Sequence, residues 1–269
     1  TLTLSTGNNV NNSDITASGN ISGVTTLTLA DVGGTATLSG DVDVTTLTVG
    51  NTVANVAFTS NGSSVADAVA FANDGTLTLG TSGGTQTYNG GLTTSSVAGT
   101  VTLNGTIATS NDAVVLGAVT LGSATTVDTN ASSDAGDITV AAITGGSNNL
   151  TLSTGDNITG ADITASGAIS GVTTLTLSDV GGTATLSGDV DVTTLAVGNT
   201  VLNVAFTGNG SSVASSFTPN NDGTFVFGAS GGTQTYNGGL NTASVDGTVT
   251  LNGTIASSDD ALTFGAVTL

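Results

Sequence analysis

The chain alternates threonine with aliphatic residues in short bursts. TLTL (1–4), TTLTL (25–29), TATL (35–38), TTLTV (45–49), TLTL (76–79), TVTL (100–103), AVTL (118–121) and DITV (137–140) each place an apolar residue at every second position. A period of two predicts strands with one buried face. Between the bursts lie STGNN, ADVGG, SGDVD, NDG, TSGG, NGG and LNG, whose glycine, asparagine and aspartate suit tight turns. No segment keeps the 3.6-residue apolar period of a helix, so the pattern predicts an all-β chain.

The pattern also repeats. Residues 1–121 align without a gap on 149–269 at a constant offset of 148, and about three quarters of the aligned positions are identical. DVGGTATLSGDVDVTTL occupies both 31–47 and 179–195, and SGGTQTYNGGL both 82–92 and 230–240. Three segments follow: copy one (1–121), connecting coils (122–148) and copy two (149–269), expected to form one continuous rod. A fixed-period duplication marks an array.

Spacing within a copy selects the architecture. VTTLTL at Val24 returns as VTTLTV at Val44. G-T-x-T-L starts at Gly34, Gly75 and Gly99, and G-A-V-T-L follows at Gly117. Steps near 20, or twice that, predict a parallel β-helix (β-solenoid) of about 20 residues per coil, with three short strands and three turns in each. At ~4.8 Å per coil, a 148-residue unit of about seven coils rises ~34 Å, and the chain makes a rod of roughly 13 coils and ~60 Å. Immunoglobulin-like sandwiches fit less well, since 148 residues is long for one and short for two.

The copies diverge most at 67–72 against 215–220, DAVAFA against SSFTPN, where the single proline, Pro219, sits. This predicts a surface loop leaving the coil. LTL (77–79) against FVF (225–227) keeps strand character and changes side-chain size.

Composition narrows function. The chain has no Lys, Arg, His, Cys, Met or Trp, and all 19 acidic groups are aspartate, giving a formal charge of −19. Nucleic-acid binding rests on Lys and Arg, so it is not expected. Neither is membrane insertion, since no apolar run approaches the ~18 residues a spanning helix needs. Hydrophobic residues make up 37% of the chain and mean hydropathy is positive, which separates it from disordered chains. No disulfide or thiolate metal site is available. Without Lys or Arg there is no trypsin-type cleavage site, and without Cys or Met little to oxidise, both suited to an extracellular surface. The chain begins and ends inside its repeat, at TLTL and GAVTL, as a slice of a longer array or a subunit whose ends meet neighbours would.

Catalysis is not expected, because general acid–base work usually enlists His, Glu, Lys, Cys or Tyr beside Asp, and here only Asp and two tyrosines remain. Asp41 and Asp43, with their copies Asp189 and Asp191, stand two residues apart on one strand face. They are the candidate Ca²⁺ ligands, Ca²⁺ being the one cofactor considered. Set against this, they sit in turns beside Gly40 and Gly188. The T-x-T triplets do not keep one register along the sequence, which argues against a flat ice-binding array. The sequons at Asn104 and Asn252 suit turn-to-strand junctions.

GGTQTYNGGLTTSSVAGTVTLNGTIATSNDAVVLGAVTL (83–121) and ITASGNISGVTTLTL (15–29) resemble the repeat regions of giant bacterial surface proteins of the filamentous haemagglutinin type. The resemblance implies a right-handed parallel β-helix and a secreted rod: a non-enzymatic, extracellular shaft whose partners are copies of itself. Two alternatives stand beside it. One is an adhesin module binding cell-surface glycans through 67–72 and 215–220, and the other a surface-layer protein bridged by Ca²⁺.

Nineteen charges along a ~60 Å rod is about one per 3 Å, within a factor of two of duplex DNA. The thermal midpoint is therefore expected to rise with ionic strength or millimolar Ca²⁺, as screening weakens self-repulsion. Identical melting curves in low salt with chelator and in millimolar Ca²⁺ would count against this.

Overall fold

The computed structural model describes residues 1–7, 11–129, 136–155 and 160–269. Among these the chain is all strand and turn, without helix. Every named strand pairing is parallel. Successive coils stack about 21 residues apart through about 12 turns of a β-solenoid.

Three ladders define three faces. The first runs Leu2–Leu27–Leu47, continues through Val69–Leu92–Val114–Ile138–Ile163, and ends Ala184–Val204–Phe225–Val249–Val267. Its two segments join where Val49 bridges Phe71. The second runs Ile15–Ala36–Val56–Leu77–Val101–Val119–Ile143–Ile169–Val190 and reaches Gln234–Ile255. The third carries Ile21–Val42, Gln86–Ile107–Val127–Leu152–Leu177–Val197 and Phe217–Leu240–Leu262. Strands can bend around the corners: Ile169–Leu186 passes all three faces without a break. Alternate residues point inward, and the inward Leu, Val, Ile and Phe of all coils form one continuous core.

The connecting segment is part of this stack. Thr125–Asp128 pairs with Leu150–Ser153, and Ile138–Val140 with Ile163–Ala165. Residues 130–135 of that segment, and parts of the predicted STGNN turn and its copy (8–10, 156–159), lie outside the described residues.

The duplication does not match a whole number of coils. Leu2 to Ile138 is six steps of the first ladder. Leu150, the copy of Leu2, lies two faces further on, pairing with Leu175 on the third face. In the same way Ile15 lies on the second face and its copy Ile163 on the first. One copy therefore spans six and two-thirds turns, not the seven expected, and copy two is turned by one face relative to copy one. At ~4.8 Å per coil the axial offset is about 32 Å.

The predicted loop at 67–72 is not a loop. Val69 and Phe71 are buried, pairing with Leu92 and Val49. In copy two Phe217 is buried and bridges Leu240, and Pro219 is buried as well. The two divergent patches are instead one compensated change in the core. Phe217 packs against Phe225 at 5.9 Å and Phe227 at 6.4 Å between ring centroids, and stacks on Tyr236 at 5.9 Å. In copy one Val69, Leu77 and Leu79 fill those positions, and Phe71 meets Tyr88 edge-on at 6.5 Å. Close-packed interiors require such exchanges to be matched in volume.

The threonines, scattered in sequence, fall into register in space. Thr85, Thr106, Thr126, Thr151 and Thr176 stack on the third face, and Thr78, Thr102, Thr120 and Thr144 on the second. β-Branched side chains on a pleated surface suffice to account for both columns.

Two tests follow from the packing. A Cβ added at Gly188 would lie 2.1 Å from the Gly167 carbonyl oxygen of the coil below, whereas one at Gly198 meets nothing within 4 Å. Gly188→Ala is expected to lose about 1–3 kcal/mol in urea unfolding, and Gly198→Ala to stay within ~0.5 kcal/mol of the parent. The second test uses the tyrosines. Burial pushes the Tyr88 and Tyr236 phenols well above the ordinary tyrosine range. Their folded-state pKa is raised, so their contribution to stability is complete below the unfolded value near 10. It is lost above that value, where only the unfolded chain ionises. Stability should fall by up to ~1.4 kcal/mol per tyrosine per pH unit above ~10, measured as urea midpoints at pH 9 and 11.

Candidate functional site

Polar side chains in this fold serve two roles, and separating them exposes the candidate site. The first role is capping the rungs at corners, where the strand ladder breaks. Asp14 Oδ1 accepts the Thr35 N–H at 2.7 Å, and Asp162 Oδ1 the Thr183 N–H at 2.7 Å. Asn55 and Asn203 do the same for Thr76 and Thr224, both at 2.9 Å. Each pair spans 21 residues, one coil. Such bonds satisfy backbone donors that would otherwise lack a partner, and those from carboxylates are charge-assisted.

The predicted metal ligands belong to this system. Asp41 Oδ1 accepts the Gly62 N–H at 2.8 Å, and Asp189 Oδ1 the Gly210 N–H at 2.7 Å. Asp43 Oδ1 accepts the Ser64 N–H at 3.2 Å. Val42, between Asp41 and Asp43, is buried, so both carboxylates stay on the outer side. They serve separate rungs of the next coil. Among the described residues no three His, Cys, Asp or Glu side chains gather in one place. Ca²⁺ takes six to eight oxygens, and each pair offers two carboxylates, of which Asp41, Asp43 and Asp189 already accept backbone N–H groups.

A second set of polar groups is internal. Gln86 donates from Nε2 to the Phe58 carbonyl at 2.8 Å, and Tyr88 donates to Gln86 Oε1 at 3.0 Å. Gln234, Phe206 and Tyr236 repeat this at the same distances. All four Gln and Tyr side chains are buried, so these groups hold the core and offer nothing to a ligand.

Open grooves also mark the surface of the described residues; one of about 510 Å³ runs along 176–178 and 195–198, and two others are copies of each other. In copy one the strand pairing slips between Ile21 and Val24, where Gly23 takes a φ of +71° that favours glycine. The resulting bulge opens a groove of about 500 Å³. Its floor and rim include Val24, Val44, Thr25, Thr45, Asp43 and Ser64. Copy two slips between Ser170 and Val172, with Gly171 at +65°. There Val172, Val192, Thr173, Thr193, Asp191 and Ser212 line a groove of about 420 Å³. These are the same six positions, offset by 148.

The two grooves do not share a side of the rod. The first lies at the corner between the third and first faces, and the second at the corner between the second and third, following the one-face turn between copies. Asp43 and Asp191 were visible in the sequence as candidates. The valines and hydroxyls beside them were not, because three successive coils contribute them. The recurrence of V-T-T one coil apart, at Val24 and Val44, is the sequence signal that could have found them.

Comparison with protein-family models, with curated proteins and with solved structures gives no match.

Proposed function

We propose that this chain is a shaft segment of an extracellular filament or adhesin fibre, with the solenoid axis along the fibre and no catalytic role. The observation that carries this reading is the first ladder from Leu2 to Val267, joined across the Val49–Phe71 bridge, on which both copies and the connecting coils ride. A unit duplicated within one continuous stack multiplies length and surface. A further feature supports it: the chain offers no cationic partner for acid–base chemistry. The resemblance to filamentous haemagglutinin-type repeats supports a bacterial surface as the rod's location.

The segments 67–72 and 215–220, the alternative place for cell-surface binding, are ladder surface and not free loops: Val69, Phe71, Phe217 and Pro219 face the core, while Asp67, Ala68, Ala70, Ser216, Thr218 and Asn220 are exposed.

Oriented assemblies of the protein should give a strong axial diffraction repeat near 4.8 Å. A fibre with its 4.8 Å spacing across the axis, or a protein that remains monomeric at all concentrations and salts, would overturn the filament reading.

A further inference from the structure

One face of the rod carries no charge along its middle. On the first face the outward side chains form a column, from Thr3, Thr28 and Thr48 at one end to Ala205, Val226 and Thr250 at the other. Every position between them is also Thr, Val or Ala. All of these side chains are exposed or half-buried. The other two faces differ. The second carries Asp191 between Ser170 and Ser212, and the third carries Asp43 beside Ser64 and Asp128 beside Ser153.

Features that repeat with the copies change face after one unit, yet this column persists. In copy one T-L-T segments fill it, at 26–28 and 46–48. In copy two the segment 183–185 does so, although its counterpart 35–37 lies on the second face. Two different parts of the repeat thus build one uncharged face. Beside it Leu202, in the strand Val201–Phe206 that also holds Ala205, is 39% exposed where copy one has Ala54. Asp137 and Asp162 stand at one edge, two residues before Thr139 and Thr164. Each turns an oxygen along the axis, to the Asp162 N–H at 2.8 Å and the Thr183 N–H at 2.7 Å.

Charge selects the occupant. A basic partner is drawn to the aspartates of the corners and of the other faces. An anionic one is repelled by a chain of formal charge −19 that has no Lys, Arg or His. A straight, uncharged sheet face with rungs ~4.8 Å apart is matched by another of the same kind, and every molecule of this chain brings one. The area suffices. About 12 turns make the face ~58 Å long, and a strand segment of about three residues makes it ~10 Å wide. Two such faces together cover about 1,200 Å², the lower end of the range for specific interfaces.

We propose that two molecules of this chain pair side by side through their first faces, as an isologous contact between sheets ~10 Å apart. The threonine methyls, Val115, Val226 and Leu202 form the contact. The net charge of the two rods opposes their approach, so screening strengthens the pair. Docking of a basic partner would show the reverse. The pairing goes beyond the shaft reading, since it adds width and not length.

The test is small-angle X-ray scattering and sedimentation of the intact chain over rising protein concentration, in low and in high NaCl. The cross-section is expected to double at constant length as salt rises. Thr28→Asp and Thr185→Asp would each bury an unpaired carboxylate in the contact and should weaken pairing about tenfold or more. Thr102→Asp on the second face and Thr126→Asp on the third add the same charge elsewhere and should pair as the parent does. All four positions are half-buried and point outward, and urea unfolding checks that each variant keeps the stack. Equal weakening by all four variants, pairs that salt dissolves, or molecules that stay single in high salt would overturn the proposal. Growth in length at constant width would also overturn it while leaving the shaft reading in place. Widening without lengthening would do the opposite, so the two readings fail separately.

Discussion

Each coil must complete the hydrogen bonding of the coil beneath it, and the rest of the structure depends on that requirement. In a β-solenoid the backbone N–H and C=O groups point along the axis, and a group left without a partner inside the stack is costly. Along the three faces the parallel ladders satisfy them. At corners the ladder breaks and side chains take over. This gives a physical role to aspartates that have no cation to pair with. Asp14, Asp41, Asp43, Asp162 and Asp189 each accept a backbone N–H from the coil above. Asn55 and Asn203 do the same without charge. The same close stacking dictates the corner glycines: Gly167, Gly188 and Gly208 sit one above another, and a Cβ on either upper one would strike the carbonyl below.

The core obeys the same rule with different residues. Inward positions are aliphatic where strands are long. Where they are short, polar groups enter and most are paired, although Asn73 Oδ1, Thr94 Oγ1 and Asn221 Oδ1 are buried without a partner. Gln86 lies inside because the Phe58 carbonyl and the Tyr88 hydroxyl both reach it. The divergence between the copies shows how tightly this interior is filled. Val69, Leu77 and Leu79 become Phe217, Phe225 and Phe227, while Phe71 becomes Pro219. The gain in ring volume at three positions accompanies its loss at a fourth.

Much of the fold was legible because threonine–aliphatic alternation is a local signal. Segments such as TTLTL at 25–29 and TVTL at 100–103 are strands where expected. Shorter ones were missed. TQTY at 85–88 hides its strand behind an inward glutamine, and Val69–Ala70 is only two residues long. Proline and local divergence at 215–220 mimicked a loop, yet Val69 and Phe71, and Phe217 and Pro219, keep the inward alternation. Coil count was blurred because coil length varies: Leu103 pairs with Leu121, 18 residues on, and Ile143 with Ile169, 26 on. An average near 20 cannot resolve a third of a turn. Of the candidate site, only the aspartates could be read from sequence. The groove depends on a register slip and on three coils brought together, and neither appears in one stretch of chain.

That third of a turn separates identity of sequence from identity of face. A solenoid whose copies spanned whole coils would repeat each feature straight up one side and present a flat partner with a row of equal sites. Here the copy of every residue moves to the next face. Avidity toward a flat surface would then need copies three units apart, since only those share a face. Two adjacent copies act as independent sites looking in different directions. For features that repeat with the copies, the arrangement favours partners that surround the rod, or that reach it as flexible chains, over a plane laid against it. Coil length sets this property: adding about one third of a coil to the 148-residue unit would realign every copy, and nothing in the ladder hydrogen bonds would distinguish the two rods.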